Sequence, residues 1–548
     1  MMQDMKSLRS GVVALVVLAG TPLVAQGPSP VGDEQTRWWA HVKTLADDTF
    51  EGRQTGSDGY RKAAAYVAQQ FEQAGLKPAG TKGYFQAVQF TRRRIVEAQS
   101  HVALVQGGSA GNASKEDVLR FGDDVTINLR AELTPNAEAP IAFAGYGLSA
   151  PDFGHDDLAG IDLKGKVAVF ITGTPANITG APAAHYQNWS VRWPALKAAG
   201  AIGAISIPNP KFTEQPWERT AASRLNPVMT LVDPRFNDLA GMQVSVTANA
   251  ASAERLFVGS GRTFADLLAL ASERKPLPTF ALPSTLRARV TLESTAIESD
   301  NVAALLPGND PTLAREHVVL TAHLDHVGVG TAVNGDRIYN GAMDNASGIA
   351  TLIEVARQLT AATPRPSRSI LFVAVTGEEH GLLGSRYFAG DPTVSKASIV
   401  ANINMDMFLP LFPMKSVMVL GLDESDLGDR VRGVAKRSDL GVGPDLEPER
   451  NRFTRSDQYS FIRQGVPALA MKVGFEPGSP EAAIDARWTK ERYHQPADDL
   501  QQPVDLGAAV TFTRLIGALS AEVANNPARP RWKTSSFFKR FESTAGSR

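Results

Sequence analysis

The chain has 548 residues, and its 56 Lys and Arg residues against 57 Asp and Glu residues give a formal net charge of −1, with 43% hydrophobic residues. This globular composition excludes a wholly disordered chain, and the neutral charge balance argues against a nucleic-acid partner. The sequence contains no cysteine, which excludes disulfides, thiolate ligands and thiol nucleophiles, so any metal ion must be held by His, Asp or Glu.

Residues 1–25 have the pattern of an export signal. Lys6 and Arg9 precede an apolar run over residues 11–20, and a short segment ending in Ala25 follows. We expect cleavage after Ala25 and a secreted or periplasmic mature protein, the alternative being an uncleaved N-terminal anchor. The apolar run is too short to span a bilayer and no later run approaches about 18 apolar residues, so no stable membrane partner is predicted.

Two helices and then a β-rich module are predicted in the first half of the mature chain. The helices cover residues 35–47 and 60–74, where apolar side chains recur with helical spacing. Residues 26–120 are assigned to the N-terminal part of the main domain. Residues 121–285 consist of short β-like pieces between Pro- and Gly-rich turns, with one helix over 191–199, which indicates a separate insert.

From residue 286 onward the pattern alternates between strands and helices. Apolar strands are predicted at 318–321, 370–375, 399–403 and 467–473, with amphipathic helices between them. This pattern predicts an α/β fold, a three-layer α/β/α domain over residues 286–526 whose mixed, mostly parallel sheet is covered by helices on both faces. The basic segment 527–548 is expected to be a flexible C-terminal tail.

Polar side chains follow these strands, at the edge where an open α/β sheet binds its ligands. Seven candidate residues occur in chain order: His323, Asp325, Asp344 at the entry to a helix, Glu378, Glu379, Asp406, and His494 past the last strand. Five of them, two imidazoles and three carboxylates, form a donor set that suits two borderline divalent ions sharing one carboxylate. Two such ions against three carboxylates leave a site of about +1 charge, which can acidify a bound water.

The two remaining residues have expected supporting roles. Glu378 precedes the ligand Glu379 and can point at the attacking water, which is the position of a general base. Asp325 follows the ligand His323 by two residues, and its carboxylate is expected to orient that imidazole.

Five short motifs carry a family resemblance. They are His323-Leu324-Asp325, Asp344-Asn345-Ala346-Ser347-Gly348, Glu378-Glu379-His380-Gly381-Leu382-Leu383-Gly384-Ser385, Asn404-Met405-Asp406-Met407 and Tyr493-His494-Gln495-Pro496. In this order and spacing they resemble the M28 family of di-zinc metallopeptidases. Residues 50–57 and 75–80 also resemble the N-terminal part of exported bacterial members, and residues 162–169 are similar to the protease-associated domain often inserted in them.

The resemblance implies a zinc exopeptidase-like fold that binds two Zn²⁺ ions, with Co²⁺ or Mn²⁺ as possible substitutes. The implied ligands are His323 and Asp406 at one ion, Glu379 and His494 at the other, and Asp344 between them. The resemblance further implies that Glu378 takes a proton from the attacking water and delivers it to the leaving amine. It also matches Tyr493 to a tyrosine that can donate a hydrogen bond to the tetrahedral oxyanion.

The implied activity is an exported aminopeptidase that hydrolyses N-terminal residues from peptides or proteins by metal-activated water. Two alternatives stay open: a single-zinc enzyme that cyclises N-terminal glutamine on a related fold, and a catalytically inactive binding module. The residues alone do not distinguish amino- from carboxypeptidase activity, and they leave the oligomeric state open. Gln458 stands where many relatives have a His after Ser-Asp, which leaves side-chain specificity undetermined.

Overall fold

The computed structural model describes residues 30–106, 115–213 and 216–544, so the predicted export signal lies outside the described residues. Two sheets organise the described chain: a ten-stranded main sheet and an eight-stranded insert sheet. The α/β class expected from the sequence is confirmed.

The main sheet is mixed, with parallel strands at its centre. Its strands in spatial order are Val228–Leu231, Phe85–Ile95, Leu292–Leu306, Ser369–Val375, His317–His323, Ile399–Asn404, Ala468–Val473, Ser416–Leu420 and Gly441–Pro444, with Lys77–Pro78 beside Leu292–Leu306. The four central strands run parallel to one another, and their outer neighbours are antiparallel to them. The carboxyl ends of the parallel strands therefore meet at one edge of the sheet.

Strand residues alternate between two hydrophobic layers. Leu320 and Phe372 belong to the larger core on one face, whereas Val319 and Leu371 pack in a smaller cluster on the other. Helices Pro30–Leu45, Asp58–Gln73, Ser347–Ala361, Leu427–Arg437 and Leu506–Asn525 cover the first face, and helices Leu383–Gly390 and Gln458–Ile462 cover the second. Burial on both faces explains why these strands are apolar throughout and why the fold has three layers.

The insert has its own sheet and core. Its strands in spatial order are Lys115–Val118, His101–Gln106, Thr279–Arg289, Asn136–Ala144, Val167–Ile171, Gly203–Ile207, Val244–Ala248 and Val125–Ile127. The insert also contains five helices: Gly180–Gln187, Trp189–Ala198, Trp217–Ser223, Glu254–Phe257 and Phe264–Ser272. A separate two-stranded ribbon is formed by Ser149–Ala150 and His155–Asp156.

The boundaries predicted for the insert, 121 and 285, differ from those of the structure. The strands His101–Gln106 and Thr279–Arg289 pair with each other inside the insert sheet, so the insert extends from 101 to 289. One strand of the insert segment, Val228–Leu231, leaves it and pairs antiparallel with Phe85–Ile95 at the edge of the main sheet. Strand pairing between segments far apart in sequence decides these boundaries, and local composition does not reveal it.

The described part of the C-terminal segment, residues 527–544, is not the flexible tail that its composition predicts. Trp532 and Phe538 are buried in a cluster with Tyr459, Ile462 and Ala468. The two side chains that this segment buries are aromatic, and the free energy gained by their burial holds the segment on the domain, although its basic residues suggested a solvated end. The helix Leu506–Asn525 is long and apolar enough to cross a membrane by composition, but most of it is buried in the core of the main domain.

Candidate metal centre

The expected ligands converge at the carboxyl end of the central strands. His323 is the last residue of the strand His317–His323, and Asp406 lies two residues beyond Ile399–Asn404. Glu379 follows the strand Ser369–Val375, and His494 lies in the connection that precedes the helix Leu506–Asn525. Asp344 lies in the short helical turn Ala342–Ala346, at the entry to the helix Ser347–Ala361.

Two imidazole–carboxylate groups share the side chain of Asp344. Nε2 of His323 lies 3.2 Å from Oδ1 of Asp344 and 3.3 Å from Oδ1 of Asp406. Nε2 of His494 lies 3.2 Å from Oδ2 of Asp344 and 3.1 Å from Oε2 of Glu379. The two oxygens of Asp344 therefore face different imidazoles, which is the arrangement of a bridging carboxylate.

These distances fit two zinc ions. Zinc binds imidazole nitrogen and carboxylate oxygen at about 2.0–2.2 Å in tetrahedral geometry, so two donor atoms on one ion lie about 3.3–3.5 Å apart. The four distances between the donor atoms, 3.1 to 3.3 Å, are close to that separation. A set of nitrogen and oxygen donors without sulfur also suits zinc, with manganese or cobalt as substitutes.

The turn that carries Asp344 is held from two sides. The Asp498 carboxylate accepts hydrogen bonds from the backbone N–H of Met343 at 2.9 Å and of Asp344 at 3.0 Å. The Asn345 amide donates to the backbone oxygen of Met405 at 2.9 Å, which ties this turn to the loop of Asp406. Asp498 follows His494 by four residues, yet its spacing gave no sign of this role.

Gly341 permits the close packing of this turn. Its φ of +61° lies in the left-handed region, and a Cβ at this position would lie 2.2 Å from the backbone oxygen of Asp344 and 2.6 Å from Cγ of His326. Only glycine allows the backbone to approach so closely.

Asp325 does not orient the His323 imidazole with its carboxylate, so that expectation is wrong. Nδ1 of His323 lies 3.0 Å from the backbone oxygen of Asp325, an acceptor that fixes Nδ1 as the donor and leaves Nε2 facing the site. The Asp325 carboxylate accepts instead from the backbone N–H of Glu378 at 3.1 Å and of Glu379 at 3.3 Å, and from the Thr55 hydroxyl at 3.0 Å.

A fully buried arginine from the N-terminal segment braces the same edge. Arg53 donates to the backbone oxygens of Leu324 at 2.9 Å, Leu45 at 2.5 Å, Asn340 at 2.7 Å and Gly341 at 3.0 Å. Burial lowers the pKa of Arg53 to about 10, although nearby carboxylates oppose this shift. The guanidinium remains charged at neutral pH, and it links the end of a central strand to the turn that precedes Asp344.

His326 is a third imidazole at the site, beyond the two expected as ligands. It is buried, and its Nδ1 lies 2.8 Å from Oε1 of Glu379 and 3.8 Å from Oδ2 of Asp344. It packs edge-on against the ring of His494. None of the sequence motifs that pointed to the site includes it, because an isolated histidine gives no indication of its partner.

The site is electrostatically polarised. Burial alone lowers the pKa values of His323 and His494, but the surrounding carboxylates outweigh burial and raise both well above the usual value. Burial raises the pKa of Asp344, yet the imidazoles of His326, His323 and His494 hold it well below the usual value. The carboxylates thus favour positive charge at their centre, as cation binding requires.

Glu378 and Tyr493 line a cavity of about 580 Å³ beside the expected ligands. A carboxylate oxygen of Glu378 lies within 4.8 Å of the ligand atoms of His323 and Glu379. Burial raises the pKa of Glu378 well above its usual value; nearby carboxylates add to this and His323 opposes it.

The Tyr493 ring packs on that of His494 with centroids 3.9 Å apart. Insert residues, including Arg130 and Trp189, also line this cavity.

Gln458 lies outside the lining of this cavity. It is buried, its Oε1 accepts from the Asn404 amide at 2.8 Å, and its Nε2 donates to the backbone oxygen of Phe453 at 3.0 Å. The departure from the family pattern at this position therefore affects packing behind the strand Ile399–Asn404 rather than the cavity wall.

Residues 301–520 match the model of peptidase family M28. Leupeptin-inactivating enzyme 1 of Streptomyces exfoliatus is 29% identical over 32% of this chain and 36% of its own length. Aminopeptidase Y of Saccharomyces cerevisiae is 26% identical over 42% of this chain and 40% of its own length, so the matches cover well under half of either relative. An aminopeptidase structure from Aneurinibacillus sp. strain AM-1 is similar in fold, with a TM-score of 0.51, 18% identity and coverage of 90% of this chain and 95% of that chain.

Proposed function

Since residues 301–520 form a domain of peptidase family M28, we propose that this chain is an exported aminopeptidase that works with two zinc ions. One observation carries the proposal: two imidazole–carboxylate groups share Asp344 beside a cavity that is lined by an additional carboxylate, Glu378. A scaffold that only binds peptides has no need for that extra carboxylate beside a ligand set.

The ligand set divides between two ions. His323 and Asp406 would hold one, His494 and Glu379 the other, and Asp344 would contact both. Two zinc ions, when bound, supply Lewis acidity that activates a water molecule and polarises the substrate carbonyl. His326 would hold Glu379 in place through the oxygen that faces away from His494.

Glu378 is the proposed general base. It faces the cavity close to the ligand atoms, and its raised pKa makes its carboxylate a better proton acceptor than an exposed glutamate. It would accept a proton from the attacking water and deliver it to the amine of the leaving peptide. Two backbone N–H groups fixed by Asp325 hold the turn from which Glu378 and Glu379 reach the site.

Tyr493 and the cavity provide the remaining functions. Tyr493 borders the cavity beside His494, where its hydroxyl would donate a hydrogen bond to the oxyanion that forms during attack. A volume of about 580 Å³ accommodates a small number of residues rather than a folded protein, which favours removal of residues from a free chain end. The pattern of residues 1–25 supports export to the periplasm or the medium.

The test combines elemental analysis with hydrolysis of aminoacyl p-nitroanilides and unblocked peptides by the wild type and Glu378→Gln. We expect two zinc ions per chain in both proteins and a turnover about 10²–10⁴-fold lower in the variant. Glu72→Gln, an exposed change on the helix Asp58–Gln73, is the control and should match the wild type.

Each alternative has its own signature in this experiment. One zinc ion per chain together with cyclisation of N-terminal glutamine would favour the single-zinc enzyme. Two zinc ions without release of any amino acid would favour the binding module. Wild-type turnover in Glu378→Gln would remove Glu378 from the mechanism.

A further inference from the structure

The insert places an arginine at the catalytic cleft. Arg130 lies three residues beyond the insert strand Val125–Ile127 and lines the same cavity as Glu378 and Glu379. A Cβ built on Gly381 would lie 3.2 Å from Cζ of Arg130. Because Gly381 follows Glu379 by only two residues, the Arg130 guanidinium lies against the turn that presents the proposed base.

The Arg130 guanidinium has no protein partner in the described part of the chain. Its backbone N–H donates to Oδ1 of Asn128 at 3.1 Å, but no hydrogen bond or ion pair of the side chain is found among the described residues. The residue is exposed to the cavity.

The wall around Arg130 has an excess of positive charge. Apart from Glu378 and Glu379, the described residues that line the cavity include two carboxylates, Glu132 and Asp238, and five arginines: Arg93, Arg130, Arg386, Arg455 and Arg463. Asp238 is already engaged, since its Oδ2 lies 2.8 Å from Arg386 and 3.7 Å from Arg463. Such a wall concentrates anions, and a guanidinium is the donor best shaped for a carboxylate.

We propose that Arg130 forms a carboxylate-binding subsite, so that the enzyme prefers peptides that carry a carboxylate near the scissile bond. The proposal rests on the proposed peptidase function and specifies its substrate class. The carboxylate can belong to the N-terminal side chain, to the second side chain, or to the free C-terminus of a short peptide. In each case the guanidinium binds it by charge-assisted hydrogen bonds.

Three matched pairs of substrates distinguish these sources. They are glutamyl against glutaminyl p-nitroanilide, Leu-Glu-Ala-amide against Leu-Gln-Ala-amide, and Leu-Ala against Leu-Ala-amide. For the wild type we expect kcat/KM to favour the carboxylate member of at least one pair by about tenfold or more, which is the scale of one charge-assisted hydrogen bond. The pair that shows the preference identifies the source.

Variants connect the preference to this residue. Arg130→Gln should reduce the ratio of kcat/KM within that pair about tenfold, and Arg130→Glu should invert it. Arg289→Gln, an exposed arginine of the insert strand Thr279–Arg289 outside the cavity lining, should keep the wild-type ratio. Ratios near one in all three pairs, or an unchanged ratio in Arg130→Gln, would overturn the proposal.

A binding measurement separates this proposal from the proposed function. Calorimetry on the Glu378→Gln variant measures the affinity for both members of each substrate pair without turnover. The same affinities are then measured on the double variant that also carries Arg130→Gln. Selective binding that disappears in the double variant supports the subsite, whether or not the wild type hydrolyses any peptide. Absence of hydrolysis by the wild type refutes only the proposed function. Equal binding of both members of every pair refutes the subsite alone.

Discussion

Oδ1 of Asp325 lies 3.1 Å from the backbone nitrogen of Glu378, and Oδ2 lies 3.3 Å from that of Glu379. Asp325 is therefore a positioning residue for the turn that carries both the proposed base and a proposed ligand. Burial raises its pKa to about 6, although the His323 imidazole opposes this shift, so the carboxylate is ionised at neutral pH and accepts from both N–H groups.

Asp325→Asn should lower kcat more than it raises KM. The amide retains the size of the side chain but offers one acceptor oxygen, so its nitrogen would face a backbone N–H group. We expect a loss of about 10–100-fold in kcat with the zinc content retained, measured by steady-state kinetics and elemental analysis. Thr55→Val removes only the hydroxyl donor to the same carboxylate and should cost less. Wild-type kcat in Asp325→Asn would contradict this role.

His326 should govern the affinity of the ion held by Glu379. Its Nδ1 lies 2.8 Å from Oε1 of Glu379, so His326→Leu removes the partner that orients this ligand. We expect affinity for the second zinc ion to fall about 10–100-fold, measured by competition with a chromophoric chelator. His326→Asn, whose amide nitrogen can occupy a similar position, should recover part of the loss. Equal affinities in the wild type and in His326→Leu would show that Glu379 needs no support.

Arg53→Lys should destabilise the main domain. The guanidinium satisfies four buried carbonyl oxygens, and an ammonium on a flexible stem cannot reach them all. We expect a loss of about 2–4 kcal/mol in the free energy of unfolding, measured by urea denaturation of the zinc-loaded protein. Arg94→Lys is the matched control, because Arg94 and its partner Glu293 are both exposed. Equal midpoints for the two variants would contradict the role of Arg53.

His185 should make stability depend on pH at the C-terminal segment. Burial lowers its pKa to about 4, with Arg540 and Arg463 adding to the shift, and its ring packs on Phe537 at 5.2 Å. Between about pH 6.5 and pH 4 the unfolded chain binds a proton that the folded chain refuses. The stabilisation is therefore complete above about pH 6.5 and declines as pH falls, by roughly 3 kcal/mol over the whole window.

His185→Phe keeps an aromatic ring and removes the titration. The difference in unfolding free energy between wild type and variant should change by about 2 kcal/mol between about pH 7 and pH 5, with the wild type losing more. Because the two proteins have the same proposed metal ligands, the effect of protonating those ligands on stability is the same in both and drops out of the difference. Parallel pH profiles for wild type and His185→Phe would contradict the prediction.

The sequence by itself determined the α/β class and the positions of the central strands. These strands are buried on both faces, so their apolar runs are unambiguous, and three of the four end in or are closely followed by a polar residue of the site. Because parallel strands end at a common edge, the sequence predicted that His323, Glu379 and Asp406 lie together, and the family resemblance added Asp344 and His494 to the same site. Their role as metal ligands stays a prediction.

Only the tertiary structure decided which partner each side chain meets. The spacing in the sequence predicted that the Asp325 carboxylate lies beside the His323 imidazole. In the structure the carboxylate instead accepts hydrogen bonds from the backbone N–H groups of Glu378 and Glu379, because these N–H groups need an acceptor inside the domain. Arg130 reaches the turn of Glu378 and Glu379 from about 250 positions away in the sequence. Trp532 and Phe538 are buried because apolar residues distant in the sequence pack around them. Such contacts depend on the packing of whole elements, which local sequence patterns do not encode.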